Sequence, residues 1–393
     1  MIKKTNTLIP EIRFPEFLNE AEWVENTFEE LFKIGNGRDY KHLGKGEIPV
    51  YGSGGYMLSV NDYLYDGESV CIGRKGTIDK PMFLSGKFWT VDTLFYTHSF
   101  KNCLPKYIHY VFQNINWLKH NEAGGVPSLS KTNIYKIKTL VPKPKEQQKI
   151  VSCLSSLDEL IKAHNQKIEA LKNHKKGLMQ NLFPQEGEIV PKYRFPEFVN
   201  DGDWDDKKLG KICDVRDGTH DSPKYIAKGF PLITSKNLLN NGSMDFTNVS
   251  FITEEDYVQI NKRSKVDKGD ILFGMIGTIG NPVVVKTEGF AIKNVALIKD
   301  IGKLNQEFLA HQLKSNFIQK QFEKVNAGGI LKFIALGIIR NLKVIVPSPK
   351  EQQKIASCLS SLDDLITGEA DKIEQLNLYK KGLMQGLFPK INN

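Results

Sequence analysis

The chain has 393 residues, 40% of them hydrophobic and 10% aromatic, enough apolar content to bury the cores of two or three domains. Its 54 Lys and Arg exceed its 45 Asp and Glu by nine charges, a balance that suits a polyanionic partner. The five cysteines form no CxxC pair, which argues against a zinc cluster or a disulfide framework. No run of about 18 apolar residues exists and the Met1–Thr7 start lacks an apolar core, so neither a membrane span nor a signal peptide is expected and the location is read as cytoplasmic.

In chain order the first marker is Arg13-Phe14-Pro15-Glu16-Phe17 with Trp23, which returns as Arg194-Phe195-Pro196-Glu197-Phe198 with Trp204. Residues 20–143 are rich in Gly, aromatic and β-branched residues with turn signals at short intervals, the pattern of a mainly-β module with a few helices. Within them, Tyr51-Gly52-Ser53-Gly54-Gly55-Tyr56 is an aromatic-flanked glycine loop, and Ile72-Gly73-Arg74-Lys75-Gly76-Thr77-Ile78 sets two cations between turn glycines. Tyr51, Ser53, Arg74, Lys75 and Thr77 are therefore candidate DNA contacts. The fork of Arg74 matches a guanine edge or a phosphate, and Lys75 suits a phosphate. The string from Gly125 to Thr132 nearly spells a phosphate-binding loop, but Ser130 stands where the second glycine must be, and nucleotide binding is not expected.

After Pro144 the hydrophobic period changes. Ile150, Leu154, Leu157, Ile161, Ile168, Leu171, Leu178 and Leu182 step by an a/d heptad, as do Ile355, Leu359, Leu362, Ile366, Ile373, Leu376, Leu383 and Leu387 after Pro349. The two stretches are copies: Lys145–Pro184 and Lys350–Pro389 agree at 28 of 40 positions. About 37 helical residues make a rod about 55 Å long, and the natural partner of one copy is the other, antiparallel, which would place the two modules at opposite ends. His164, Lys175, Glu369 and Lys380 interrupt the seam and are expected to set register. Leu178, Met179, Leu182 and Phe183, with their copies Leu383, Met384, Leu387 and Phe388, carry more apolar surface than one seam needs. They are candidate subunit-docking residues, with packing back onto a module as the other reading.

Between the rods, residues 201–348 form a second module. Its Phe273-Gly274-Met275-Ile276-Gly277-Thr278-Ile279 keeps the glycine frame of the first module and exchanges Arg-Lys for Met-Ile. Arg216-Asp217-Gly218-Thr219-His220-Asp221-Ser222 gathers donors and acceptors on one loop, and Lys236-Asn237 follows a short apolar run. Arg216, Thr219, His220, Ser222, Lys236, Asn237 and Met275 are the DNA-contact candidates here, Asn237 because the amide reads adenine. Ala123-Gly124-Gly125 and Ala327-Gly328-Gly329 close the two modules alike. The nearest string to an amino-methyltransferase motif, Asn281-Pro282-Val283-Val284, lacks the second proline and the aromatic, and no HExxH, helicase motif or nucleophile triad occurs. The expected protein has no catalytic residue and no metal site of its own.

The expected fold class is α+β: two mainly-β recognition domains with a few helices, separated by two long helices that pair as an antiparallel coiled coil, with a pseudo-two-fold internal repeat. The segments read as a proximal repeat (1–19), a first module (20–143), a central helical repeat with linker (144–200), a second module (201–348) and a distal helical repeat (349–393).

This plan resembles, over its full length, the specificity (S) subunit of type I restriction–modification systems. The matching phrases are Arg13–Phe17 with Arg194–Phe198, the Pro-x-Glu-Gln-Gln-Lys-Ile starts at Pro144 and Pro349, Asp217-Gly218-Thr219-His220, and Gly269-Asp270-Ile271-Leu272. The resemblance implies that each target-recognition domain reads one half of a split, asymmetric site in double-stranded DNA. It implies that the helices set the gap and dock two methyltransferase (modification) subunits, with restriction/translocase subunits outside. S-adenosylmethionine, ATP and magnesium would then belong to the partners and none to this chain. The first module lacks the Asp-Gly-Thr-His phrase, so equal binding modes do not follow. The alternatives are the targeting subunit of a related system that cuts on both sides of its site, and a coiled-coil scaffold that binds no DNA.

Overall fold

Each module starts and ends on one two-stranded antiparallel ribbon at the root of a rod. In the first, strand Val24–Thr27 pairs with Lys138–Val141; in the second, Asp205–Lys208 pairs with Lys343–Val346. The computed structural model describes residues 9–325 and 333–389. The Met1–Thr7 start and Ala327-Gly328-Gly329 lie outside the described residues. The described chain forms two compact units, one of 9–165 with 371–389 and the other of 166–325 with 333–370. The division falls inside both rods, so each unit comprises a module together with part of each helical repeat.

In the first unit a four-stranded antiparallel sheet runs in the order Lys33–Asn36, Leu94–His98, Ser69–Gly73, Met82–Leu84. A second runs Gly55–Val60, Lys45–Gly52, Lys87–Thr90, Tyr65–Asp66, with Lys45–Gly52 and Lys87–Thr90 parallel. The second unit repeats the first of these sheets in full and the second in part. One sheet is Asp214–Asp217, Val295–Lys299, Ile271–Gly274, Gly280–Val284, and the other is Tyr225–Ile226, Ser250–Ile252, Phe230–Ile233, Ala291–Ile292, again with one parallel pair. Glu254–Ser264 and Asn316–Val325 are helices of the second unit. Two modules with little shared sequence therefore share the topology of the antiparallel sheet. In the other sheet the parallel pair is central in the first unit, with Tyr65–Asp66 outside it, and lies at the edge in the second, where Tyr225–Ile226 joins the opposite side.

The rods are helices Pro144–Leu182 and Pro349–Leu387, 39 residues each. Every a/d position from Ile150 to Leu182 and from Ile355 to Leu387 is buried or half-buried, including those held by His164, Lys175, Glu369 and Lys380. In the first unit Asp158 of the central rod meets Lys380 of the distal rod at 2.5 Å, and Ile150 and Leu154 share a core with Met384 and Leu387. In the second, Lys167 meets Glu369 at 2.8 Å and Lys175 meets Asp363 at 2.5 Å. Contacts that climb one helix descend the other, so the pairing is antiparallel in both units. Asp158 and Asp363 are the same repeat position, as are Lys175 and Lys380. Each repeat thus supplies one acid and one base, and only the antiparallel arrangement lets both pairs form.

The repeated Glu-Gln at each rod start joins module to helix. The guanidinium of Arg13 grips Glu146 with two bonds of 2.8 Å and donates to the carbonyls of Glu20 and Ala21. Arg194 grips Glu351 at 2.8 and 2.7 Å and donates to Asp201 and Gly202. Both pairs are buried, with side-chain exposures of 3% and 3%, and 8% and 1%. The next residue, Gln147, accepts from the Leu104 N–H at the start of helix Pro105–Asn114 and donates to Asn102 and Pro142. Gln352 accepts from Asn305 N–H and donates to Pro347.

The apolar rod ends pack inward. Leu182 and Phe183 are 1% exposed in the second unit's core, where Phe183 lies 5.6 Å from Phe308, and Leu178 and Met179 pack against the same core. Met384, Leu387 and Phe388 are buried in the first unit's core, Phe388 at 5.6 Å from Tyr107, with Leu383 against them. Leu182, Phe183, Met384, Leu387 and Phe388 are therefore module-packing residues, and for these five the expectation that they dock another subunit is corrected. Their side chains are already covered by this chain, while Leu178, Met179 and Leu383 are half-buried.

Removing one member of a buried, hydrogen-bonded ion pair leaves the other charge unpaired. Arg194→Ala should therefore destabilise the second unit by about 3 kcal/mol. Lys343→Ala, which breaks the exposed pair with Asp206, should change stability by less than about 0.5 kcal/mol. Hydrogen exchange along Asp205–Lys208 and Lys343–Val346 measures both; equal protection loss in the two variants would contradict the clamp.

Candidate nucleic-acid interface

In the first module the ends of several strands bring four turns together. The parallel pairing of Lys45–Gly52 with Lys87–Thr90 is extended by Val91 N–H donating to the Tyr51 carbonyl at 3.0 Å. Arg74 N–H then donates to the Thr93 carbonyl at 2.8 Å, and Gly76 sits so close to Ser53 that a Cβ there would lie 3.2 Å from Oγ. The result is a depression of about 670 Å³ lined by Asp39, Tyr40, Lys41, Ser53, Tyr56 and Thr93 among others. Arg74 and Lys75 are exposed on the adjoining turn. Tyr51, Ser53, Arg74, Lys75 and Thr77 are thus gathered in one region, although distant in sequence. Tyr51 and Thr77 are half-buried: the Tyr51 ring stands edge-on to Tyr56 at 6.1 Å, leaving Tyr56 as the exposed aromatic.

The second module gathers the corresponding turns. Met275 and Ile276 N–H both donate to Ser235 Oγ, which donates to the Asn294 carbonyl at 3.2 Å. Thr219 bridges to Lys293, whose Nζ donates to Ser222 Oγ at 3.1 Å. The His220 ring lies between two oxygens, Asn294 Oδ1 at 2.8 Å from Nδ1 and Asp217 Oδ2 at 2.9 Å from Nε2. Both bonds form when both ring nitrogens carry hydrogen. The bond to Asp217, then that to Asn294, holds the His220 pKa above its ordinary value, against desolvation and the Arg263 cation on the far oxygen of Asp217. Thr219, His220, Ser222 and Lys236 are exposed or half-buried here.

Three candidates take other roles. Asn237 is 4% exposed: its Oδ1 accepts from Thr234 N–H and Oγ1, and its amide donates to the carbonyls of Asp245 and Asn248. It staples a loop and has no amide edge left for adenine. Met275 is 1% exposed in the second unit's core, so the side chain that replaces Arg74 points inward and its exposed neighbour Ile276 stands at the tip. Arg216 is committed to Asp214 at 2.6 Å and to the Arg263 carbonyl. Asp39, Tyr40, Lys41, Lys293 and Asn294 were not singled out by sequence. A signal existed for Asn294, a non-glycine residue at φ 55° before the buried strand Val295–Lys299, since asparagine tolerates that backbone. The near phosphate-loop string is a helix start instead, with Ser130 Oγ accepting from Asn133 N–H and Lys131 Nζ donating to the Ile34 carbonyl.

Two modules that share an antiparallel sheet topology, each presenting a loop cluster with its own side chains and each clamped to a copy of one rod, define a two-part recognition protein. Residues 20–173 and 201–378 match the model of the type I restriction modification DNA specificity domain, and the chain belongs to that family. The type I restriction enzyme MjaVIII specificity subunit of Methanocaldococcus jannaschii is 27% identical, over 84% of this chain and 79% of its own length. The putative MjaX specificity subunit of the same organism is 28% identical, over 85% and 79%. The crystal structure of a type I restriction–modification S subunit from M. genitalium has the same fold, with a TM-score of 0.67 at 16% identity, covering 98% of this chain and 100% of that one.

A histidine whose folded pKa is raised contributes stability below the ordinary value of 6.5 and loses it as pH rises through the raised value. The Asp217–His220–Asn294 turn should therefore loosen on the alkaline side of 6.5, with Arg263 and Asp217 as the charged groups facing the ring. Hydrogen exchange at 217–222, followed from pH 6 to 9 and corrected for the intrinsic rate, should show declining protection that His220→Gln makes independent of pH. Flat protection in the parent would refute this.

Proposed function

We propose that this chain is the DNA-specificity subunit of a type I restriction–modification complex, each module reading one half of a split, asymmetric site in double-stranded DNA. The observation that carries the reading is that one backbone frame occurs twice with different side chains on it. Arg74 and Lys75 are exposed on the turn after strand Ser69–Gly73, whereas the same turn after Ile271–Gly274 buries Met275 and exposes Ile276. A shared frame keeps the approach to the duplex constant, and unlike side chains at the groove change the sequence read. The paired rods are the spacer between half-sites and the docking element for two modification subunits, with restriction/translocase subunits joining them. S-adenosylmethionine, ATP and magnesium serve those partners, and the chain itself recognises without catalysing. No helix of the described residues is long and apolar enough to cross a membrane.

Co-expression with the neighbouring modification subunit, followed by mapping of methylated adenines across the host genome, tests this directly. The expected result is a split motif that vanishes when this chain is deleted; methylation indifferent to the deletion would defeat the proposal. The spacer role has its own test. One heptad added near the middle of both rods adds about 10 Å of helix, equivalent to about three base pairs at 3.4 Å each. The gap in the methylated motif should lengthen with both half-sites retained, and an unchanged gap would rule out the rods as a ruler.

A further inference from the structure

Asp-Gly-Thr-His has no sequence copy in the first module, yet its backbone does. Gly218 N–H donates to the Val295 carbonyl at 3.0 Å and Thr219 N–H to the Ile292 carbonyl at 3.0 Å. In the first module Gly37 N–H donates to Leu94 at 3.1 Å and Arg38 N–H to Thr90 at 2.8 Å, at the same place after the first strand of the same sheet. The neighbouring bonds agree too: Lys293 N–H to the Ile233 carbonyl at 2.9 Å, and Val91 N–H to Tyr51 at 3.0 Å. Both glycines are required for one reason. A Cβ on Gly37 would lie 1.8 Å from the Val91 oxygen, and one on Gly218 2.3 Å from the Ile292 oxygen. Asn36-Gly37-Arg38-Asp39 is therefore the first module's form of Asp217-Gly218-Thr219-His220.

We infer that Arg38 and Asp39 are base-reading residues of the first module, the pair occupying the positions of Thr219 and His220 in the second. The inference rests on the DNA-specificity reading above and names where that reading is done. The Arg38 backbone is fixed on both sides, by its N–H bond and by Trp89 Nε1 donating to its carbonyl at 2.8 Å. Its side chain is exposed, and among the described residues the guanidinium has no hydrogen-bond partner. That is a rigid stem carrying an uncommitted fork, which suits two-bond recognition of guanine O6 and N7.

Asp39 is exposed and lines the depression that also holds Ser53 and Thr93, beside Asp92. A carboxylate is repelled by phosphates, so an acid between Arg38 and Lys41 fits an amino group on a base edge, the N4 of cytosine. Arg38 and Asp39 together therefore specify a G·C pair, or two adjacent ones, in the first half-site. Where the second module carries Thr219 and His220, the ring is held by Asp217 and Asn294; the first module has Asn36 in place of that acid and Asp39 in place of that ring. The same turn is thus stiffened by two bonds to the ring in one module, whereas in the other, among the described residues, Asp39 Oδ1 accepts only from Lys41 N–H at 3.3 Å and its side chain stays exposed.

The test uses the full chain assembled with its modification subunits. R38T/D39H installs the second module's side chains on the first module's turn, and methylated motifs are mapped for parent and variant. The expected result is a change confined to one or two adjacent positions of one half-site, with the other half and the gap retained. For R38A, binding to a duplex carrying the parental motif should weaken by about 10- to 100-fold, against little change on a duplex lacking it. If R38T/D39H abolishes methylation, selection from a random duplex library decides. Recovery of the unaltered second half-site alone supports the inference; recovery of neither half, or of the full parental motif, overturns it. An unchanged methylated motif in both variants also overturns it while leaving the specificity reading intact. A parent that methylates no split motif at all would remove that reading and this inference together.

Discussion

A buried carboxylate at the root of each rod, Glu146 in one unit and Glu351 in the other, is the point on which each unit hangs. Neither acid is tolerable in an apolar surround without a partner. Each is met by both forks of an arginine, whose remaining donors hold the carbonyls just before the module's first strand. The adjoining glutamine accepts from the N–H of the residue that precedes the helix lying against the rod. Three short stretches far apart in sequence, Arg-Phe-Pro-Glu-Phe, the rod start and the module's helix, are thereby fixed to one another. The turns that carry the candidate DNA contacts inherit their position from this joint, because the ribbon that opens and closes the module is part of it.

The acid–base pairs along the rods complement the joint. Asp158 with Lys380, and Lys175 with Asp363, place a lysine in a mainly apolar seam at 16% exposure in each case. A parallel or shifted pairing would leave those ammonium groups facing leucine. Their contribution is to the uniqueness of the alignment more than to its strength, since an apolar seam position would bury more hydrocarbon.

What the sequence revealed follows from what is local. A heptad seam is periodic within one helix, so the rods were legible from Ile150 to Leu182 and from Ile355 to Leu387, and their antiparallel pairing from two copies in one chain, each attached to its own module. The glycine frames at Gly73 and Gly274 were legible because a turn constrains its own residues. Side-chain direction was not. Asn237 and Met275 sit in phrases that suit a reading loop, yet sheet packing turns one into a staple and the other into core. Leu182 and Phe388 carried more apolar surface than a seam needs, and sequence alone could not say that their own modules cover it. The counterpart of Asp-Gly-Thr-His escaped notice because only its glycine is common to both modules, and a single glycine has no signature among 32.

That shared glycine has a consequence for how such a protein diversifies. At Gly37 and Gly218 the requirement is that nothing be present, since the opposite strand's oxygen occupies the space of a Cβ. In the first module the flanking side chains are free of that requirement: the turn is held by backbone bonds that every residue except proline can make. Mutations at Arg38 and Asp39 therefore alter the surface without drawing on the reserves of the fold. A lineage under pressure to change its target can explore those positions by drift, one at a time, with each intermediate still folded and still assembled.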